Sequence, residues 1–249
     1  MKLKKVISFA LIGAMTAVAF AGCSSGSSSD KIVIGGIAPL TGNVAVYGTA
    51  VSNAVKLAVE EINKAGGING KQVEFVVEDE EGDAVKAVNA YNKLMAQNVV
   101  AIIGDVTSKP TISVVQKAAK DGIPIITPTA TAAEVTTYGT NIFRACYLDP
   151  YQGETMATFA STKLSAKTAA VLYDTSDDYS IGVAEAFKAK CASLGINVTN
   201  YEGFGKGDTD FKSQLTKIAA SNPDVLLVPC YYETDALVAA QAKDVGLKS

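Results

Sequence analysis

Short β-branched runs alternate with stretches of helical periodicity from residue 31 to the end of the chain. Ile32 to Ile37 reads as a first strand, and Val51, Ala54, Val55, Ala58 and Ile62 follow at the spacing of one apolar helix face. The run Ala65-Gly66-Gly67-Ile68-Asn69-Gly70 breaks that helix and supplies backbone for a cap and a turn. Val73 to Val77 is a second strand, after which Asp83 caps a helix over Ala84 to Gln97. Val99 to Gly104 lacks alternation, as expected of a strand buried on both faces in a parallel sheet. Ser108 and Pro110 open a helix that runs to about Asp121, and Ile123 to Ile126 is a short fourth strand.

A second series begins after a linker at Arg144 to Pro150. Helix Tyr151 to Leu164 leads to strand Ala169 to Tyr173, helix Ile181 to Leu194 to strand Ile196 to Tyr201, and helix Phe211 to Ala220 to strand Val225 to Val228. A last helix, Thr234 to Val245, stops at Gly246. Alternation of this length predicts βαβ units, parallel sheets and right-handed crossovers with helices on both faces. The change of series predicts two units, 31–147 and 148–249. The second lacks a closing element, so the chain reads as truncated at its C-terminus.

The first 30 residues follow a different pattern. Lys2, Lys4 and Lys5 precede an uncharged apolar stretch from Val6 to Phe20, and Phe20-Ala21-Gly22-Cys23 ends it. A basic start, a short apolar stretch and small residues before a cysteine make up a lipoprotein signal peptide over 1–22, with Cys23 as the lipid-accepting residue. The stretch is short for a membrane span, which needs roughly 20 residues. Residues 23–30 are rich in Gly and Ser and read as a flexible tether. The expected location is outside the cytoplasm, anchored to the membrane by lipid.

Composition narrows the chemistry. The chain has 22 Lys and Arg against 25 Asp and Glu, and Arg144 is its only arginine. A mildly acidic chain with no basic stripe argues against nucleic acid. Without histidine, Ser-His-Asp and Cys-His catalytic arrangements and His-rich zinc sites are excluded. Cys146, Cys191 and Cys230 are too far apart in sequence for a spacing motif and read as small buried apolar residues. Gly35-Gly36 is not a dinucleotide fingerprint, and no phosphate-binding loop is present. The acidic run Glu78 to Asp83 lacks calcium-loop spacing and reads as a solvated connection. No cofactor and no metal is expected.

Ligands of parallel α/β sheets bind beyond the carboxyl ends of the strands. Those loops carry hydroxyls and phenols: Tyr47, Thr107 and Ser108 at a helix start, Thr127, Thr129 and Thr131 together, then Tyr179, Tyr231 and Tyr232. A helix N-terminus favours an anion. Hydroxyls, N–H groups and aromatic faces suit a small zwitterion with a carbon side chain. The competing reading of the Ser and Thr positions is ordinary capping and turn chemistry.

Several segments taken in order carry a resemblance. They are Ile34 to Gly42, Tyr47-Gly48, Glu60 to Asn63 with Ala65 to Gly70, Val99 to Gly104 followed by Ser108, Ile125 to Thr131, and Phe143-Arg144 with Asp149. The chain from about Lys31 onward resembles the leucine/isoleucine/valine-binding proteins, the branched-chain amino-acid receptors of ATP-driven (ABC) importers. The resemblance implies a two-lobe periplasmic-binding-protein type I fold that closes on its ligand about a hinge. It implies that Tyr47 walls the side-chain pocket and that Ser108 holds the ligand carboxylate by hydroxyl and N–H. It gives the Thr129 carbonyl to the ligand ammonium, and Thr131 to both ends. Tyr179 and Tyr231 would shut the site from the second lobe. The family's acidic partner for the ammonium would lie beyond Ser249, and Thr107-Ser108-Lys109-Pro110 departs from the Ser-rich loop of some members. The implied protein is a monomeric receptor, not an enzyme, that delivers a small aliphatic amino acid to a permease. The alternatives are a sensor lobe of a membrane receptor or kinase and an extracytoplasmic enzyme.

Overall fold

The computed structural model describes residues 31–248. The proposed signal peptide, Cys23 and the tether lie outside the described residues. Eight strands and seven α-helices follow one another in two blocks. The first block holds β1 (Ile32–Ala38), α1 (Ala45–Lys64), β2 (Val73–Asp79), α2 (Ala84–Met95), β3 (Ala101–Ile103), α3 (Ser108–Asp121), β4 (Ile125–Thr127) and β5 (Ile142–Arg144), with a 3-10 turn at Ala133–Thr136. The second holds α4 (Asp149–Thr162), β6 (Thr168–Asp174), α5 (Asp178–Leu194), β7 (Asn197–Phe204), α6 (Lys212–Ser221), β8 (Val225–Leu227) and α7 (Tyr232–Asp244). The strands form two wholly parallel sheets, ordered β2-β1-β3-β4-β5 and β7-β6-β8. Each sheet with its helices makes one lobe.

Period-two alternation explains the second lobe. Ala169 and Val171 of β6 pack with Ala157, Ala160, Ala184, Phe187 and Cys191 of α4 and α5. Ala170 and Leu172 point the other way, into Phe211, Leu215, Ile218 and Val238 of α6 and α7. A central strand with both faces covered must be apolar throughout, which is how this segment reads. Helices α4 and α5 approach closely because Gly153 has no side chain: a Cβ there would lie 2.5 Å from the Val183 carbonyl oxygen.

In the first lobe, Ile37, Ile102, Ile125 and Ile142 face Tyr91, Leu94, Val115 and Ala118 of α2 and α3 in one core. Helix α1 packs on β1 and β2. Its buried residues are Gly48 and Ser52, with Val51, Val55 and Val59 half-buried, whereas Ala54, Ala58 and Ile62 are exposed. The helix face predicted from Val51, Ala54, Val55, Ala58 and Ile62 is therefore rotated. Small residues, not the bulky ones, approach the sheet, and a Cβ on Gly48 would lie 2.0 Å from the Pro39 carbonyl oxygen. Ile126 and Phe143 remain 40% and 52% exposed on β4 and β5.

Three further sequence expectations are corrected. The linker read from Arg144 begins after β5, a three-residue edge strand that pairs with β4. The acidic run Glu78 to Asp83 is not uniformly solvated: Glu80 is fully buried, and Asp79 accepts from Leu40 N–H (2.8 Å), Thr41 N–H (3.3 Å), Thr41 Oγ1 (2.6 Å) and Glu81 N–H (3.0 Å). Burial pushes the Asp79 carboxyl up, but those donors outweigh it and hold it below the ordinary carboxylate value. Of the three cysteines only Cys191 is fully buried. Cys146 and Cys230 are partly exposed.

Candidate ligand-binding site

The loops beyond the carboxyl ends of both sheets converge on one cavity of about 260 Å³. The first lobe lines it with Tyr47, Val106, Thr107, Ser108, Thr129 and Thr131. The crossover adds Tyr147 and Gln152, and the second lobe adds Tyr179, Cys230 and Tyr231. The six residues that the resemblance assigned to the ligand thus reach the same space; of the other hydroxyls and phenols read at the strand ends, Thr107 lines it too, whereas Thr127 and Tyr232 do not. Tyr147, Gln152 and Cys230 were not foreseen. Tyr147 sits on the segment read as a linker and Gln152 in the first turn of the helix that follows, where sequence gives no sign of which side chains turn inward.

Local structure explains how the polar groups are presented. Thr107 precedes α3 in an extended conformation and makes no side-chain cap, so the first-turn N–H groups of α3 have no capping partner of that kind. Ser108 Oγ accepts from Ala132 N–H at 3.1 Å, which ties the α3 start to the loop after β4 and leaves its proton to donate. Thr129 Oγ1 donates to the Val106 carbonyl at 2.6 Å, and Thr127 Oγ1 donates to the Asp105 carbonyl at 2.6 Å. The single arginine braces the same loop: Arg144 Nη1 donates to Ala130 O (3.0 Å) and Ala132 O (2.7 Å).

An aromatic row crosses from lobe to lobe. Tyr47 lies 6.1 Å from Tyr231 and 5.5 Å from Tyr232 between ring centroids, and Tyr179 stacks on Tyr231 at 5.5 Å. Burial raises the Tyr179 phenol to about 12, against a Gln152 amide that donates to it at 3.0 Å. Burial, then the nearby Asp177, also raises Tyr231. Burial raises Tyr47 as well, so the phenols of Tyr47, Tyr179 and Tyr231 stay neutral at physiological pH and can both donate and accept. Two polar contacts also span the cleft: Lys109 Nζ donates to Ser176 O at 2.5 Å, and Lys206 Nζ lies 3.6 Å from Asp83 Oδ2.

Asp149 is buried, and nothing in the sequence assigned it a role beyond its place in the resemblance. It opens α4, and its N–H donates to the Thr131 carbonyl at 3.1 Å. The Thr131 hydroxyl favours the ionised form of its carboxyl, while Oδ1 has no hydrogen-bond partner among the described residues. Burial pushes it up to about 6, with Thr131 and Arg144 pulling the other way. Thr131 also lines the cavity, and a hydroxyl that turns its proton toward Asp149 keeps a lone pair for a donor there.

A two-lobed parallel α/β chain with a polar, tyrosine-ringed cleft has known counterparts. Residues 31–249 match the model of the periplasmic binding protein family. The chain belongs to that family. It is 35% identical over 239 residues to a Leu/Ile/Val-binding protein homolog of Brucella melitensis, covering 94% of this chain and 64% of that protein. It is 36% identical to a leucine-, isoleucine-, valine-, threonine- and alanine-binding protein of Pseudomonas aeruginosa, covering 95% and 63%. Among solved structures it resembles the branched-chain amino-acid transporter binding protein LivJ of Streptococcus pneumoniae in complex with isoleucine, at a TM-score of 0.82, 35% identity and coverage of 88% and 63%. The leucine-binding protein LivK of Thermotoga maritima gives the same TM-score at 32% identity, covering 88% and 61%. The architecture is the type I periplasmic-binding-protein fold. The chain spans about three-fifths of the length of these relatives.

Proposed function

We propose that this periplasmic binding protein captures a small amino acid, branched-chain or aliphatic, between its lobes and delivers it to the permease of an ABC importer. The observation that carries the reading is the cleft: neutral hydroxyls, an α3 N-terminus and a tyrosine ring drawn from both lobes around one cavity. In this reading the ligand carboxylate meets Ser108 and the α3 N–H groups, where the helix dipole favours an anion. The Thr129 carbonyl and the Thr131 hydroxyl take the ammonium. Tyr47, Tyr179 and Tyr231 enclose the side chain, and closure selects the liganded state. No bond is made or broken. The pattern of residues 1–23 supports a lipid anchor at Cys23, and hence a receptor held at the outer face of the membrane.

The test is a thermal-melt panel of the purified protein with each common amino acid at millimolar concentration. A ligand at about 1,000 times its dissociation constant stabilises by roughly 4 kcal/mol. Upward shifts with leucine, isoleucine or valine and none with charged amino acids are expected. A cooperative melt that no amino acid moves would overturn the reading.

A further inference from the structure

Beneath the first-lobe half of the cleft, two carboxyl groups meet. Glu80 follows the end of β2, Asp105 follows β3, and both are fully buried. Glu80 Oε2 accepts from Asp83 N–H at 2.8 Å, and Asp105 Oδ1 accepts from Val106 N–H. The charge of Glu80 acts on Asp105, and the oxygens that find no hydrogen-bond partner among the described residues are Glu80 Oε1 and Asp105 Oδ2, which a proton held between them would satisfy. The surrounding charges do not neutralise them. Asp79 is itself acidic, Glu81 is paired with Lys86 at 2.6 Å, Asp83 faces Lys206, and Lys109 of α3 is bound to Ser176 O. Two ionised carboxylates cannot sit side by side in a dry interior, whereas one proton between them makes a strong charge-assisted bond.

The pair is built into the backbone that presents the cleft. The Asp105 carbonyl holds Thr127 Oγ1, the Val106 carbonyl holds Thr129 Oγ1, and Ser108 follows directly in the α3 first turn. We propose that Glu80 and Asp105 share one proton and act as positioning residues for the 105–108 loop, so that losing the proton in alkaline medium displaces the first-lobe binding groups. The consequence for affinity rests on the proposed amino-acid site. The proton and the loop do not.

Burial, with Asp79 adding to it, pushes Glu80 up to about 7, and burial with the charge of Glu80 pushes Asp105 well above the ordinary carboxylate range. Both are raised above their unfolded values, so the stabilisation is fully present below about pH 4, where the unfolded carboxyls also hold protons. It is lost as pH rises through the folded values. One retained proton raises the unfolding constant by up to about tenfold per pH unit across that window.

The experiment compares the wild-type protein with Glu80→Gln, which keeps a donor to Asp105 but cannot ionise, and with Glu80→Ala, which has no donor. Denaturant unfolding is followed from pH 5 to 9, and the amide resonances of Val106, Thr107 and Ser108 are followed by NMR. The wild-type stability should fall more steeply with pH than that of Glu80→Gln. The three amides should titrate in the wild type and stay still in Glu80→Gln, and Glu80→Ala should be less stable than Glu80→Gln at neutral pH. Parallel pH slopes for wild type and Glu80→Gln, or loop amides that do not titrate, would overturn the proposal. If no amino acid binds at any pH, the proposed function fails and these readouts still decide the pair.

Discussion

Replacing Thr131 by Val removes one hydroxyl and almost nothing else, because the two side chains have the same shape. That hydroxyl is assigned a hydrogen bond to Asp149 because it favours the ionised form of a residue only 2% exposed, whose Oδ1 already lacks a partner among the described residues. A hydrogen bond to a charged group contributes about 1.5–3 kcal/mol, and its loss here leaves a buried acceptor unsatisfied. For a protein of this size each kcal/mol corresponds to roughly 2–4 °C, so the melt should fall by about 3–12 °C. The deficit should depend on pH. Asp149 is raised to about 6 in the folded protein, so its stabilising proton is fully held below its unfolded value near 4 and is lost as pH rises through about 6. Thr131 stabilises the ionised form, so without it the folded carboxyl rises further and stability declines over a wider range. Scanning calorimetry at pH 5 and pH 8 should therefore find Thr131→Val closer to wild type at pH 5 than at pH 8. Equal deficits at the two pH values would refute the assigned hydrogen bond. If the variant also binds its amino acid unchanged by titration calorimetry, Thr131 leaves the proposed site altogether.

Gly48→Ala should cost about 1–3 kcal/mol or more, because a Cβ 2.0 Å from the Pro39 carbonyl forces α1 off the sheet. Denaturant unfolding reads the loss, and fluorescence of the neighbouring Tyr47 should change with it. Lys206→Gln should alter the melting temperature little, since an ion pair 3.6 Å long with a 69% exposed lysine contributes at most about 1 kcal/mol. Its trace should appear in ligand release, faster than wild type in low salt and equal to it in high salt, as stopped-flow would record.

Much of the scaffold was legible because burial on both faces imposes uninterrupted apolar runs. Ala169 to Tyr173 could hardly be anything but an inner strand, and the structure divides its residues alternately between two cores. Asp83 was readable as a cap because one side chain and two N–H groups suffice to make it, with Val85 at 2.9 Å and Lys86 at 3.1 Å. The edge strand Ile142 to Arg144 was not legible. Three residues carry no period, and what makes them a strand is the neighbouring β4. The α1 face was misread because the sheet selects Gly48 and Ser52 for closeness, not the larger residues for apolarity. Tyr47, Ser108, Thr129, Thr131, Tyr179 and Tyr231 could be listed from their places at strand ends and from the resemblance. Tyr147, Gln152 and the burial of Glu80 depend on how the crossover and the β2–α2 connection fold back, which no local pattern records.

The residues that line the cleft are almost all carried on loops and first helical turns, while the two lobes draw their cohesion from strand interiors and helix faces. Tyr47, Thr129 and Tyr231 are absent from every core cluster. Substitutions at such positions can reshape the cleft without dismantling the framework, so, on the proposed function, selection can explore new ligands on an unchanged chassis. Thr131 and Ser108 are the exceptions: they brace the architecture as well as face the cavity, and a lineage reshaping the cleft should leave them until last.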